Sequence, residues 1–160
     1  MKSLKNDYIE NVIKQLHHTY FAHTKIGRSK ELLASHLEKT FMYYQKMEEE
    51  KNLDTIVKNI IKTTFSITDV LVEQIYNLFK QAIYYHDIGK INPLFQKNKM
   101  ENDLKIEIGN TDDTHAALSA RIYIDSVINI VKNETIQSPL ERTTILYIGY
   151  YFRIYYCKAS

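Results

Sequence analysis

The sequence predicts an all-α fold, a single-domain helical bundle of about six to seven helices. Apolar residues recur every three or four positions along almost the whole chain, and no stretch alternates apolar and polar residues for long enough to indicate a half-buried strand. The 160 residues include only four Gly and two Pro, so few positions favour tight turns. This length suits one domain with its own core, and the chain shows no internal repeat or Pro/Ser-rich linker.

Start and stop signals divide the chain into helices. Thr68 can cap a helix that leads into the His-Asp pair at 86–87 and is stopped by Gly89. Ser138 is the strongest start signal, since Pro139 follows it at the first turn and Glu141 stands at the capping-box position. The predicted helices cover residues 4–20, 29 to about 50, 53–65, 69–87, 93–99, 113–132 and 139–157, and the polar stretch 101–111 is predicted to be a loop.

Charge and composition exclude several classes of protein. The formal net charge is +2, from 21 Lys+Arg and 19 Asp+Glu, so the chain lacks the dense positive stripe of a sequence-independent DNA binder. One cysteine, Cys157, excludes an intrachain disulfide, and residues 1–10 contain no apolar signal-peptide core. The apolar stretch 145–157 is too short to span a bilayer comfortably. We therefore expect a cytoplasmic protein without a membrane partner.

His86 and Asp87 are the pair most suited to chemistry. Adjacent imidazole and carboxylate ligands at a helix end can converge on one divalent cation, and the carboxylate can bridge to a second. Gly89 permits a tight turn after the pair, and Lys90 could reach a phosphate oxygen. A His-Asp pair that simply ends a helix is the alternative interpretation.

Two further histidines are candidate partners. His36 and His115 each lie on an apolar or small-residue face of a predicted helix, and Ser119 shares the face of His115. A buried imidazole without a partner is costly, so each needs a ligand or a hydrogen bond. Both interpretations, metal ligand and hydrogen-bonded core histidine, remain open from the sequence.

The order His36, His86-Asp87, His115 resembles the HD superfamily of metal-dependent phosphohydrolases. More narrowly, it is similar to the HD nuclease domain of the CRISPR-associated helicase-nuclease of type I interference. The resemblance lies in AHT at 22–24, LASHLEKT at 33–40, YYHDIGKINPLFQ at 84–96 and HAALSA at 115–120. The pattern HDxGKxNPxFQ in the third stretch is far more specific than HD alone.

The resemblance implies an antiviral defence enzyme with one or two divalent transition metals: Mn, Ni, Co, Fe or Zn. His36, His86 and Asp87 would hold the first metal, and Asp87 and His115 would contribute to the second. The implied reaction is two-metal hydrolysis of phosphodiester bonds in single-stranded DNA, which the CRISPR helicase and the type I surveillance complex deliver. Asp87 and Lys90 are the implied catalytic residues. The implied substrate-binding residues are Lys90, Asn92 and Ser119.

The chain also departs from the family pattern. Tyr155, Tyr156 and Cys157 stand where the family has His-His-Gly, and the family's late aspartate would follow Ser160. The chain, 1–160, therefore resembles an HD domain that is truncated or degenerate at its C-terminal end. This favours an alternative, a catalytically impaired HD-derived regulator or decoy, for example a phage-borne inhibitor, that binds the effector complex or helicase. A nucleotide phosphohydrolase of the wider HD group is a third candidate.

Several other residues have simpler interpretations. The histidines at 17 and 18 are expected on partly exposed surface, and Cys157 is expected to be a small buried hydrophobe rather than a ligand. His23 resembles a family position outside the metal shell. The aspartates at 112 and 113 could direct a carboxylate toward His115, but capping of the following helix explains them equally well.

Overall fold

The computed structural model describes residues 19–24, 29–102, 104–105, 114–133, 139 and 142–148. These residues are mostly helical, which confirms the predicted all-α class. No helix among them combines the length and the apolar character needed to cross a bilayer. The helices are α1 (Leu33–Lys51), α2 (Leu53–Phe65), α3 (Asp69–Tyr85), α4 (Pro93–Met100) and α5 (His115–Asn133); the 3-10 turn η1 (Ile88–Ile91) precedes α4, and residues 142–148 are also helical.

A two-stranded antiparallel ribbon precedes α1, and the sequence did not predict it. Strand β1 (Phe21–His23) pairs with β2 (Glu31–Leu32), with His23 opposite Glu31. Strands of three and two residues are too short to show an alternating pattern, so the periodicity could not reveal them. The ribbon places His23 and Glu31 beside the start of α1.

The helix boundaries follow the local signals closely. Helix α2 has the predicted bounds, and the Thr68 hydroxyl caps α3 by accepting a hydrogen bond from the Leu71 amide at 3.4 Å. Helix α1 begins at Leu33, four residues later than predicted, because residues 31–32 belong to β2. Helix α3 ends at Tyr85, so the His-Asp pair lies in the turn that follows it.

Helix α3 is the central element of the core and packs against α1, α2 and α5. The most deeply buried side chains of the core include Leu37 of α1, Ile75 of α3 and Val127 of α5. Burial of such apolar surface is the main favourable term in folding. The Tyr123 hydroxyl donates a hydrogen bond to the Leu78 carbonyl at 3.1 Å, which also links α5 to α3. Helix α3 is thus held in place by three neighbouring helices.

Gln96 of α4 joins the ribbon to η1. Its side chain is completely buried, accepts a hydrogen bond from the Phe21 amide at 3.0 Å and donates to the Phe21 carbonyl at 2.8 Å. It also donates to the Lys90 carbonyl at 2.6 Å and accepts from Asn102 at 2.8 Å. One amide side chain therefore satisfies backbone groups of both β1 and η1.

We expect Gln96→Ala to lower the free energy of unfolding by about 2–4 kcal/mol, because the Phe21 amide and the Lys90 carbonyl lose their partner. Urea unfolding followed by circular dichroism measures the change. Gln45→Ala, which removes an exposed side chain of α1, is the matched control. Equal unfolding midpoints for the two variants would contradict the role of Gln96.

Candidate metal centre

Asp87 lies at the centre of the four residues that the sequence singles out as ligands. It follows α3 directly, and its carboxylate receives three imidazoles from α1, from the end of α3 and from α5. The His36 Nε2 atom lies 3.0 Å from Oδ2, and the His86 Nε2 atom lies 3.3 Å from the same oxygen. The His115 Nε2 atom lies 3.5 Å from Oδ1. The fold therefore brings together residues that are up to 79 positions apart in the chain.

The orientation of His36 is set by a second carboxylate. Its Nδ1 atom lies 3.3 Å from the Glu31 Oε2 atom, and a carboxylate can only accept, so Nδ1 carries the proton in this contact. Lys39 donates to the other oxygen of Glu31 at 3.1 Å, and this hydrogen bond lowers the pKa of Glu31 from its usual value. In its neutral form, His36 then turns a lone pair on Nε2 toward Asp87. Metal-binding histidines are commonly oriented by an outer carboxylate in this way.

His86 is oriented in the same sense by the backbone. Its Nδ1 atom donates to the Ile83 carbonyl at 2.8 Å, which leaves Nε2 as the acceptor in the neutral ring. The lone pairs of His36 and His86 and the negative charge of Asp87 thus face one small region. Imidazole nitrogens with a carboxylate are a donor set that Mn, Fe, Co, Ni and Zn accept. The residues present therefore fit a divalent transition metal.

Lys90 is a buried cation that balances the charge of the Asp87 carboxylate. Its Nζ atom lies 2.7 Å from Asp87 Oδ2 and donates to the Ala22 carbonyl at 3.1 Å, and only 6% of its side chain is exposed. Burial alone would raise the pKa of Asp87. The contacts with His115, His86 and Lys90 outweigh that effect and hold the pKa of Asp87 well below its usual value of 3.8. The carboxylate therefore remains charged at neutral pH.

A lowered pKa in the folded state makes stability depend on pH in a known direction. The contribution of Asp87 is fully present above its usual pKa of 3.8 and is lost as the pH falls below it. Between pH 4 and pH 2, the free energy of unfolding should fall more steeply in wild type than in Asp87→Asn, by up to about 1.4 kcal/mol per pH unit. The variant has no carboxylate at position 87 that could take up a proton. Urea unfolding at a series of pH values measures both slopes. Parallel slopes would contradict the assigned pKa.

Gly89 and Ser119 hold η1 against α5. The Gly89 amide donates to the Ser119 hydroxyl at 2.8 Å, and the two backbones lie so close that a Cβ atom at position 89 would be 1.9 Å from the His115 carbonyl oxygen. The sequence indicated a tight turn at Gly89. The structure shows a second reason for glycine, which is the close approach that brings His115 to Asp87.

Three buried residues carry the predicted substrate-binding role, which stays a prediction. Lys90 binds Asp87, and the Ser119 hydroxyl binds the Gly89 amide. The Asn92 side chain accepts a hydrogen bond from the Leu94 amide at 2.9 Å and caps α4. Each side chain already has a protein partner, so contact with a phosphate requires that bond to be shared or broken.

His23 is the residue near the centre that sequence reasoning missed. One ligand atom each from His23, His36 and Asp87 lie within 4.8 Å of one another, and the His23 ring meets the His36 ring edge to face at 4.7 Å. Burial, together with the nearby Lys90 and His36, lowers the pKa of His23. The family resemblance placed His23 outside the metal shell, and the short ribbon that brings it to the centre was not visible in the periodicity.

The remaining candidates fall outside the described residues. These are the histidines at 17 and 18, the aspartates at 112 and 113, and the stretch 155–157. No protein-family model, curated protein or solved structure matches the chain. The case for a function therefore depends on the geometry around Asp87 and on the motif that surrounds it.

Proposed function

We propose that the chain is an HD-type, metal-dependent phosphodiester hydrolase that cleaves single-stranded DNA in a type I CRISPR interference system. The observation that carries the proposal is the meeting of three imidazole Nε2 atoms on the two oxygens of Asp87, within 3.5 Å. The resemblance of residues 84–96 to the nuclease motif supports the choice of DNA as substrate. The helicase and the surveillance complex are the proposed partners.

The two oxygens of Asp87 give the site two sides. His36 and His86 face Oδ2, while His115 faces Oδ1, so the carboxylate can serve one ion or bridge two. A divalent ion held there would supply Lewis acidity, which polarises a phosphoryl oxygen and makes water more acidic. The protein supplies the orientation of the ligands, through Glu31 behind His36 and the Ile83 carbonyl behind His86.

Lys90 is proposed to balance the charge of Asp87. A buried carboxylate is stable only when it is paired, and Lys90 is its closest cationic neighbour among the described residues, at 2.7 Å. The resemblance also implies that Lys90 would lie near the scissile phosphate. Both roles require the ammonium group to remain beside Asp87, so a phosphate oxygen bound there would share the same positive charge.

A second candidate function is a catalytically impaired regulator or decoy that occupies the nuclease's place in the effector complex. The sequence observation that favours it is Tyr155-Tyr156 at the position of the family's histidine pair. Phenol is a poorer ligand than imidazole near neutral pH because its usual pKa is about 10. This candidate predicts tight binding to the effector complex or helicase without turnover.

Cleavage of labelled single-stranded DNA in the presence of Mn²⁺, Ni²⁺ or Co²⁺ separates the two candidates. We expect the wild type to cleave and Asp87→Asn to lose at least about 100-fold in rate, because loss of even an outer partner of a metal ligand costs about 10- to 100-fold. Asp125→Asn, on the exposed face of α5, is the matched control and should cleave like wild type. Equal rates in wild type and Asp87→Asn would remove the nuclease claim, and binding to the effector without cleavage would favour the decoy.

A further inference from the structure

The end of strand β1 carries His23 to the edge of the candidate metal centre. One ligand atom of His23 lies within 4.8 Å of one ligand atom each from His36 and Asp87. The residue is exposed to solvent, and its ring meets the His36 ring edge to face, with the ring centroids 4.7 Å apart. Within the described part of the chain, no hydrogen bond occupies the ring nitrogens of His23. No described residue therefore competes with a ligand for these nitrogens through a hydrogen bond.

The position of His23 is fixed by the three residues before it. The Tyr20 carbonyl accepts a hydrogen bond from the Leu33 amide at 2.9 Å, and both backbone groups of Phe21 are bound by Gln96. Ala22 is completely buried, and its carbonyl accepts from Lys90. The strand is thus tied at each successive residue, which places His23 beside the centre with little freedom of the backbone.

The distances suit a shared ion after a small adjustment. Protein ligands lie about 2.0–2.2 Å from transition metals, so two ligand atoms on opposite sides of one ion are separated by at most about 4.4 Å. The upper limit of 4.8 Å for the three atoms exceeds this by a few tenths of an ångström. Rotation of an exposed imidazole about its side-chain bonds is sufficient for such a change.

We propose that His23 is a ligand of an ion bound at Asp87, together with His36. This inference rests on the proposed metal centre and deepens it. It gives this ion two imidazoles and one carboxylate, whose ligand atoms lie within 4.8 Å of one another; His86, 3.3 Å from Asp87 Oδ2, is not part of that group. A six-coordinate ion such as Mn²⁺, Ni²⁺ or Co²⁺ would then keep three positions for water, a phosphate oxygen or a further ligand. A tetrahedral Zn²⁺ ion would keep one.

Titration of the full chain with Co²⁺, followed by visible absorption and calorimetry, tests the proposal. Removal of a residue that binds the ion directly should weaken Co²⁺ binding by at least about 10-fold and should change the absorption spectrum. This is the lower end of the loss seen when a residue that only hydrogen-bonds to a ligand is removed. The test variant is His23→Ala. His86→Ala removes a ligand that the sequence already predicts, and Thr24→Ala is a control at an exposed residue next to His23. Circular dichroism confirms that each variant is folded.

The outcomes separate this inference from the proposed function. Weaker binding and an altered spectrum in His23→Ala, with Thr24→Ala like wild type, support the assignment. Wild-type affinity and spectrum in His23→Ala, with binding lost in His86→Ala, overturn the role of His23 and leave the metal centre in place. No Co²⁺ binding by wild type overturns both.

Discussion

Gly89→Ala is expected to destabilise the protein by at least about 3 kcal/mol, the upper end of the usual cost of overpacking. The added Cβ would lie 1.9 Å from the His115 carbonyl oxygen and 2.5 Å from the Ser119 amide nitrogen. Both are backbone atoms of α5, so no side-chain rotation can relieve the contact. The helix has to move away from η1, and His115 then moves away from Asp87.

Thermal and urea unfolding measure this loss, and metal titration measures its effect on the site. Ala117→Ser, which adds one atom at an exposed position of α5, is the control and should lose no more than about 0.5 kcal/mol, the cost of the lower helix propensity of Ser. Combining Gly89→Ala with Ser119→Ala should give no rescue, because the closest contact is with the backbone of His115. Recovery in the double variant would show that the hydroxyl, rather than the helix backbone, limits the space.

Lys90→Met is expected to lower the free energy of unfolding by about 3–5 kcal/mol in the absence of metal. The substitution keeps the apolar part of the side chain but leaves Asp87 as a buried charge without its ammonium partner, and loss of one member of a buried pair typically costs this much. The Ala22 carbonyl also loses its donor. Urea unfolding in the presence of a chelator measures the effect.

Added metal should distinguish charge balance from simple packing. A saturating concentration of Mn²⁺ neutralises Asp87 directly, so the difference between wild type and Lys90→Met should become smaller. Lys97→Met, on the exposed side of α4, is the control for replacing a lysine by methionine away from Asp87. An unchanged difference with and without Mn²⁺ would show that Lys90 stabilises the fold by packing alone.

The fold was largely predictable because its signals are local. The bounds of α2, the Thr68 cap and the start of α4 at Pro93 all follow from residues that lie next to one another in the sequence. The ribbon of β1 and β2 was not predictable in this way. Its stability comes from contacts with Gln96, which lies 75 residues from Phe21 and shows no periodicity that would connect the two.

The sequence pointed to four residues of the candidate site, but not to His23 or to the contacts among these side chains. The motif and the helical faces pointed to His36, His86, Asp87 and His115, and these four do meet. The pairing of Lys90 with Asp87 and of Glu31 with His36 depends on side chains from different elements. Charge and spacing along the chain carry no information about such contacts.

The most direct test of the metal centre is a calorimetric titration of wild type and Asp87→Asn with Mn²⁺, together with metal analysis of the purified proteins. Asp87 is the one residue that contacts all three imidazoles among the described residues. We therefore predict at least one ion per chain in wild type and in the control Asp125→Asn, and none in folded Asp87→Asn. Binding of equal affinity and stoichiometry in Asp87→Asn, or no binding in wild type, would contradict the metal centre.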